Sequence, residues 1–143
     1  TQAEYSGFIG AADVRLPLGT RMFFRALFSR DTRPSVLDNN WFFVENRIGG
    51  SFDIYLTERF FLRPGAVVGR NTYPRESRFI NTEGQEVFEI VTNDFQTYSF
   101  TFNYHLRPDL VAQLGGNYWN RSSNFPQFDK DRFVLTVGVT TEF

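Results

Sequence analysis

The chain has 143 residues, 22% charged and 41% hydrophobic, with a formal net charge of −1. That length holds one domain, the near-neutral charge excludes the basic face nucleic acid requires, and no run approaches the ~20 apolar residues of a transmembrane helix. Two biases remain. Aromatic residues make up 18% of the chain, 18 of them Phe, and Lys130 is the one lysine among 15 basic residues. Bulky aromatics favour strands and crowd the lipid face and interfacial girdles of membrane barrels. Arginine grips carboxylates and phosphates in a fixed fork and suits braced ion-pair networks. The absence of Cys is compatible with a periplasm-facing protein and with many others.

Helical periodicity never establishes itself, whereas period-two alternation returns seven times. Over 4–16, Phe8, Ala12, Val14 and Leu16 oppose Asp13 and Arg15. Next, Met22, Phe24, Ala26 and Phe28 oppose Arg21, Arg25 and Ser29. The third segment, 41–56, sets Phe42, Val44, Ile48, Gly50, Phe52, Ile54 and Leu56 against Glu45, Arg47, Ser51, Asp53 and Tyr55, with Asn46 breaking the apolar side. At about fifteen residues it exceeds the five or six of a usual soluble strand and suits a tilted strand that crosses a bilayer and protrudes. Phe60, Leu62, Ala66 and Val68 then oppose Arg63 and Asn71, with a bulge or bend expected at Pro64, which has no ladder donor. The fifth segment sets Tyr98, Phe100, Phe102, Tyr104 and Leu106 against Thr97, Ser99, Thr101, Asn103 and His105. In the sixth, Ala112, Leu114 and Tyr118 face away from Gln113, Asn117 and Arg121, and in the last Phe133, Leu135, Val137, Val139 and Phe143 face away from Thr136, Thr140 and Glu142.

The connections alternate in length. Tight turns are expected at 17–20, 57–59 and 107–109, and long polar loops at 31–40, 74–93 and 122–131. Short turns on one side and longer loops on the other are the habit of outer-membrane barrels. Inside the middle loop, the Asn81-Thr82-Glu83-Gly84 stretch predicts a hairpin that prolongs the fourth and fifth strands. The expected fold is therefore an all-β antiparallel transmembrane β-barrel of the bacterial outer membrane, with a soluble lipocalin-like barrel as the alternative. Alternation by itself does not say which face is inside. Seven strands would put the two chain ends on opposite sides, while bacterial single-chain barrels have even counts and both ends in the periplasm. Either one strand goes unread, or residues 1–143 are one barrel domain forming the C-terminal half of a longer chain. The second reading is the simpler.

The stretch Asn117-Tyr118-Trp119-Asn120-Arg121-Ser122-Ser123-Asn124, then Phe128-Asp129-Lys130-Asp131-Arg132 and the aliphatic strand Phe133-Val134-Leu135-Thr136-Val137-Gly138-Val139, resembles the end of the beta-barrel porin type-two family. The aromatic fifth strand followed by Arg107-Pro108-Asp109 is similar to that family's middle. The resemblance covers most of the chain through loose motifs of barrel construction. It implies an outer-membrane conduit larger than this chain, associated with capsule or exopolysaccharide export and its partner proteins. It also implies that terminal Phe143 is the residue the barrel assembly machinery recognises.

With lipid or lipopolysaccharide on the apolar side, the lumen would receive Asp13, Arg15, Arg21, Arg25, Glu45, Arg47, Asp53, Arg59, Arg63, Asn117, Arg121 and Glu142. Such residues most often brace a barrel wall; an excess of guanidinium also draws anionic solutes, an acidic polysaccharide among them. Tyr55, Tyr73 and Trp119 on the same side are either sugar-stacking platforms or loop packing. Enzymatic chemistry finds no footing. His105 has Asn103 and Arg107 two residues away, with no nucleophilic Ser, and no Cys/His cluster suggests zinc. Loop acids Asp31, Asp38, Asp129 and Asp131 read as solvated, and no cofactor is implied. Gly49-Gly50 and Gly115-Gly116 ease packing of the wall. A porin-like conduit is thus the first expectation, and a small plugged structural or adhesive barrel the second.

Overall fold

Alternating side chains give each segment one face to bury and one to solvate, and neighbouring segments joined by tight turns pair as antiparallel strands. The computed structural model, which describes residues 6–37, 39–81 and 83–141, bears this out. Seven strands run β1 (Gly10–Pro17), β2 (Met22–Pro34), β3 (Phe42–Tyr55), β4 (Phe60–Ile80), β5 (Glu86–Arg107), β6 (Leu110–Ser123) and β7 (Lys130–Thr141), with one 3₁₀ turn at Pro126–Phe128. They form one sheet in sequence order, each strand antiparallel to the next. The structure is all-β, as expected.

The sheet is open, not a closed barrel. β1 pairs only with β2 and β7 only with β6, and after six antiparallel steps β1 and β7 run in the same direction. They therefore cannot close on each other as an antiparallel pair. Glu4, Asp38, Glu142 and Phe143 lie outside the described residues.

The expected long loops are shorter than the sequence suggested because strands continue into them. β2 runs on to Pro34, β6 to Ser123, and β4 and β5 reach 21 and 22 residues as a long hairpin whose turn includes Asn81 and Gly84. Asn81 stabilises that turn by accepting the Glu83 and Gln85 N–H groups at 3.0 and 2.8 Å, and Gly84 supplies the positive φ of 79°. The bulge expected at Pro64 lies elsewhere. Pro64 sits in register opposite Phe100, and the β3–β4 ladder keeps its register across it. The irregularity falls between Thr72 and Glu76, where β4 advances four residues against two on β5. An even excess leaves the face assignment unchanged above it.

The register places Met22, Phe24, Ala26, Phe28, Ile48, Phe52, Leu62, Val68, Tyr98, Phe100, Phe102, Leu114, Tyr118, Phe133, Leu135 and Val137 on one face. Glycines let this face close up. A side chain at Gly50 would meet the Phe24 ring, and one at Gly116 would overlap the Phe100 ring. Cross-strand rings add contacts, including Phe24–Phe52 at 5.1 Å and Phe60–Tyr104 at 4.5 Å.

Candidate functional site

The other face collects the charged residues, and the strand register decides which of them meet. At the turn side, Asp53 stands between Phe23 on β2 and Arg63 on β4. Arg63 Nε donates to its carboxylate at 2.6 Å. From β1, Arg15 reaches across the Phe23 ring, its guanidinium carbon 4.1 Å from the ring centroid, and comes within 3.3 Å of the second Asp53 oxygen. Asp53 is only 2% exposed. A buried carboxylate is costly unless paired, and two guanidinium groups satisfy it here. Arg25 donates to Asp13 at 2.9 Å beside this group.

Toward the loop side, Arg33 lies 3.5 Å from Asp31 and 3.6 Å from Glu45, and Arg47 lies 3.3 Å from Glu45 while donating to the Ser29 hydroxyl at 3.1 Å. Asp31 and Arg33 belong to this network because β2 extends past Ser29; with 31–40 read as loop, the sequence offered no reason to place them here. On β6, Arg121 donates to the Phe128 carbonyl at 2.9 Å with its guanidinium 5.4 Å from the Trp119 ring. Asn117 lines a groove of about 590 Å³ with Thr97, Trp119, Arg132 and Val134.

The structure thus joins Arg15, Arg25, Asp53 and Arg63 at one level and Glu45 and Arg47 at another, with Arg121 and Asn117 apart on β6. Arg21 and Arg59 sit exposed in turns, where their carbonyls accept the Tyr55 and His105 N–H groups at 2.8 and 2.9 Å. Among the described residues, no group of three or more acidic, His or Cys side chains is placed to hold a metal ion.

At the loop end the polar face also gains apolar groups. Tyr73, Val91 and Phe125 form a buried apolar cluster on the otherwise polar face, with Leu37, Phe43, Phe79 and Phe128 packed against it. Asn40, 1% exposed, ties the β2–β3 connection to β4: its amide donates to the Ser77 hydroxyl and the Arg75 carbonyl at 2.9 and 3.1 Å and accepts the Arg75 N–H at 2.9 Å. Tyr73 therefore packs in the loop-end core and is no open stacking platform; burial raises its phenol pKa while Arg121 pulls it down. On the apolar face the same level carries Arg30, Asn46, Arg70 and Asp94 in consecutive register. Arg30 donates to Asn46 at 3.0 Å, and Arg70 grips Asp94 through two bonds of 2.6 and 2.9 Å. The hydrogen bond from Arg70 holds the Asp94 carboxyl below the usual carboxylate range. Asn46, the interruption in an apolar stripe, thereby belongs to a polar row that crosses that stripe from β2 to β5.

No family model, curated protein or solved structure matches the chain.

Proposed function

We propose that the chain forms the wall of a bacterial outer-membrane β-barrel, its apolar face against lipid and its polar face lining a porin-like passage that serves polysaccharide export. One observation carries the reading: the sheet is inside-out for water. Ile48, Val68, Phe133, Leu135, Val137 and Val139 are exposed, while Asp53 and Asn93 are buried. An antiparallel sheet in water buries its apolar face and solvates the polar one. A contiguous exposed apolar face of this extent marks contact with lipid or a partner.

Its height is close to that of a bilayer. The apolar stripe runs over 48–55 on β3, 60–68 on β4 and 98–106 on β5, eight residues on the first and nine on the others, where a tilted membrane strand needs about 9–11. Beyond it stand the Arg30–Asn46–Arg70–Asp94 row and then a loop-end hairpin that buries an apolar cluster on its other face. Aromatic residues gather toward both limits, with Phe60, Phe102 and Tyr104 on the turn side and Tyr98, Tyr118 and Phe133 on the loop side, as interfacial girdles do.

A membrane sheet leaves no edge unpaired. Because β1 and β7 run the same way, antiparallel closure takes an odd number of further strands, which agrees with the expectation of a larger barrel. Recognition of Phe143 by the assembly machinery, and contact with export-system proteins, belong to the same proposal. The second reading is a plugged structural or adhesive barrel, favoured by the Tyr73–Val91–Phe125 cluster, which covers the polar face at the loop end. Refolding into detergent, heat-dependent gel mobility and planar-bilayer recording separate the cases. A heat-shifted, strand-rich species with discrete conductance is expected. Insertion without conductance favours the plugged barrel. A chain that stays water-soluble and never partitions into micelles or vesicles, with or without added strands, overturns the membrane reading.

A further inference from the structure

Among the described residues, three cross-strand pairs place like charges directly opposite one another: Arg15 with Arg25, Asp31 with Glu45, and Arg121 with Lys130. Such pairs are destabilising unless something lies between them. The first is relieved by Asp53 beside Arg15 and Asp13 beside Arg25. The second is bridged by Arg33, within 4 Å of both carboxylates. Among the described residues the third has no counterion. Neither Arg121 nor Lys130 is in an ion pair, nor is Arg132, which stands opposite Trp119 and diagonal to Arg121 on the same face. The nearby acids are turned to other work. Asp129 accepts the Ser123 N–H at 2.7 Å, and Asp131 lies on the opposite face across from Asn120.

We infer that Arg121, Lys130 and Arg132 form a binding site for a soluble oxyanion, a phosphate or carboxylate group, which supplies the counterion this pair lacks. Opposed Cβ atoms in an antiparallel ladder stand about 5 Å apart and diagonal ones about 7–8 Å, so three long cationic side chains can converge on one anion. Arg121 is held for the purpose by the Phe128 carbonyl and the Trp119 ring, which lowers the ordering cost of binding. Beside them the groove of about 590 Å³ carries Thr97 and Asn117 as further polar contacts and has room for the body of the solute. By contrast, Arg15, Arg25, Arg33, Arg47 and Arg63 on this face each stand in an ion pair with Asp13, Asp31, Glu45 or Asp53, so the cations left without an acidic partner on β6 and β7 are the better placed to take an outside anion. The inference rests on the proposed function only for its meaning in transport; the site itself is defined by the sheet.

Trp119 gives the signal. With Trp41→Phe as background, Trp119 is the one tryptophan left of two. The refolded full chain, in detergent free of lipopolysaccharide, is titrated with inorganic pyrophosphate and with citrate at constant ionic strength. A saturable change in Trp119 fluorescence is expected, weakened at least tenfold by Lys130→Gln with Arg132→Gln and altered less than twofold by Arg25→Gln. Pyrophosphate should also raise the thermal midpoint of the parent and not of the double variant, a readout independent of fluorescence. The inference fails if sodium chloride reproduces the change, if Arg25→Gln weakens it equally, or if binding occurs only with lipopolysaccharide present. Conductance without binding would overturn this site and leave the passage standing; binding without conductance would support the site and count against the passage.

Discussion

Val137 and Thr136 are neighbours on β7, both exposed, and they point to opposite faces. Val137, at 75% exposure, has little packing to lose, so replacing it removes few contacts. Its stripe on β7 runs from Phe133 to Val139, which puts Val137 well inside the apolar belt. In water, a substitution at so open a position changes stability by about 0.5 kcal/mol or less. On a lipid face near the bilayer centre, arginine costs about 2–4 kcal/mol. Val137→Arg is therefore expected to lower the folding equilibrium in lipid vesicles by about 30- to 700-fold, at 1.4 kcal/mol per factor of ten. Thr136→Arg, on the opposite, polar face, should change it by less than about threefold.

The assay is equilibrium folding from denaturant into phosphatidylcholine vesicles, followed by tryptophan fluorescence and heat-dependent gel mobility, with wild type and both variants run side by side. Phe133→Arg, at the loop-side limit of the belt, provides a depth control and should cost about 0–1 kcal/mol. The order Val137→Arg far worse than Phe133→Arg, with Thr136→Arg near wild type, is what a bilayer dictates. Equal effects at Val137 and Thr136, or a larger loss at Thr136, would refute the assignment of the apolar face to lipid and with it the proposed passage.

Asp53→Asn keeps the shape of the side chain but removes the charge that Arg15 and Arg63 share. A loss of about 1–3 kcal/mol is expected in chemical unfolding, discounted because both guanidinium groups are half-exposed, and an unchanged midpoint would show that the network contributes nothing. Asn40→Ala deletes three hydrogen bonds that fasten the β2–β3 connection to β4, so proteolysis within 35–41 should accelerate at least tenfold while the strands stay protected; cleavage at the wild-type rate would contradict the anchoring role. Asp94 carries a pH dependence of definite sign. Its carboxyl is lowered chiefly by the hydrogen bond from Arg70, so its stabilisation is complete above the unfolded carboxylate value of about 3.9 and is lost as pH falls through the lowered folded value. Wild type and Asp94→Asn should differ in thermal midpoint at pH of about 6, and the difference should shrink as pH falls below the unfolded carboxylate value of about 3.9; a difference that does not shrink in acid would break the link to this pair.

Period-two alternation was enough to place the strands and their faces, because on a strand a residue's side is fixed by parity alone. That is why Arg15, Arg25, Glu45, Arg47, Asp53, Arg63, Asn117 and Arg121 all fall on one face. Parity does not say which of them touch. The convergence of Arg15 and Arg63 on Asp53 depends on register across four strands, β1 to β4, and register came from turn geometry that the sequence only brackets. Strand ends were the least readable feature. Thr32, Arg33 and Pro34 look like loop residues, yet β2 carries them in the ladder because β3 continues opposite. Pro64 misled for a related reason: a missing donor removes one bond without displacing the chain, whereas the real irregularity, between Thr72 and Glu76, adds two residues around Pro74.

The loop-end half of β4 and β5 shows why composition alone was uninformative. Below Arg70 the most exposed hydrophobic residues of this hairpin lie on the outer face; above it Tyr73 and Val91 are buried with Phe125 on the opposite face, while Ile80, Phe88 and Ile90 stay exposed on the outer one. One continuous hairpin thus uses both faces for apolar groups. Composition counts both sets alike and is blind to their faces, so the 41% hydrophobic content is ordinary. A single solvent does not ask for that second apolar face, since in water or in lipid alone one face would stay apolar from end to end. A strand that leaves a bilayer and enters water does ask for it, at the level where charged and amide side chains first occupy the outer face. Arg30, Asn46, Arg70 and Asp94 stand in one register line at that height, which carries the change across β2 to β5 and gives the proposed membrane boundary a position that the depth series at Val137 and Phe133 can measure.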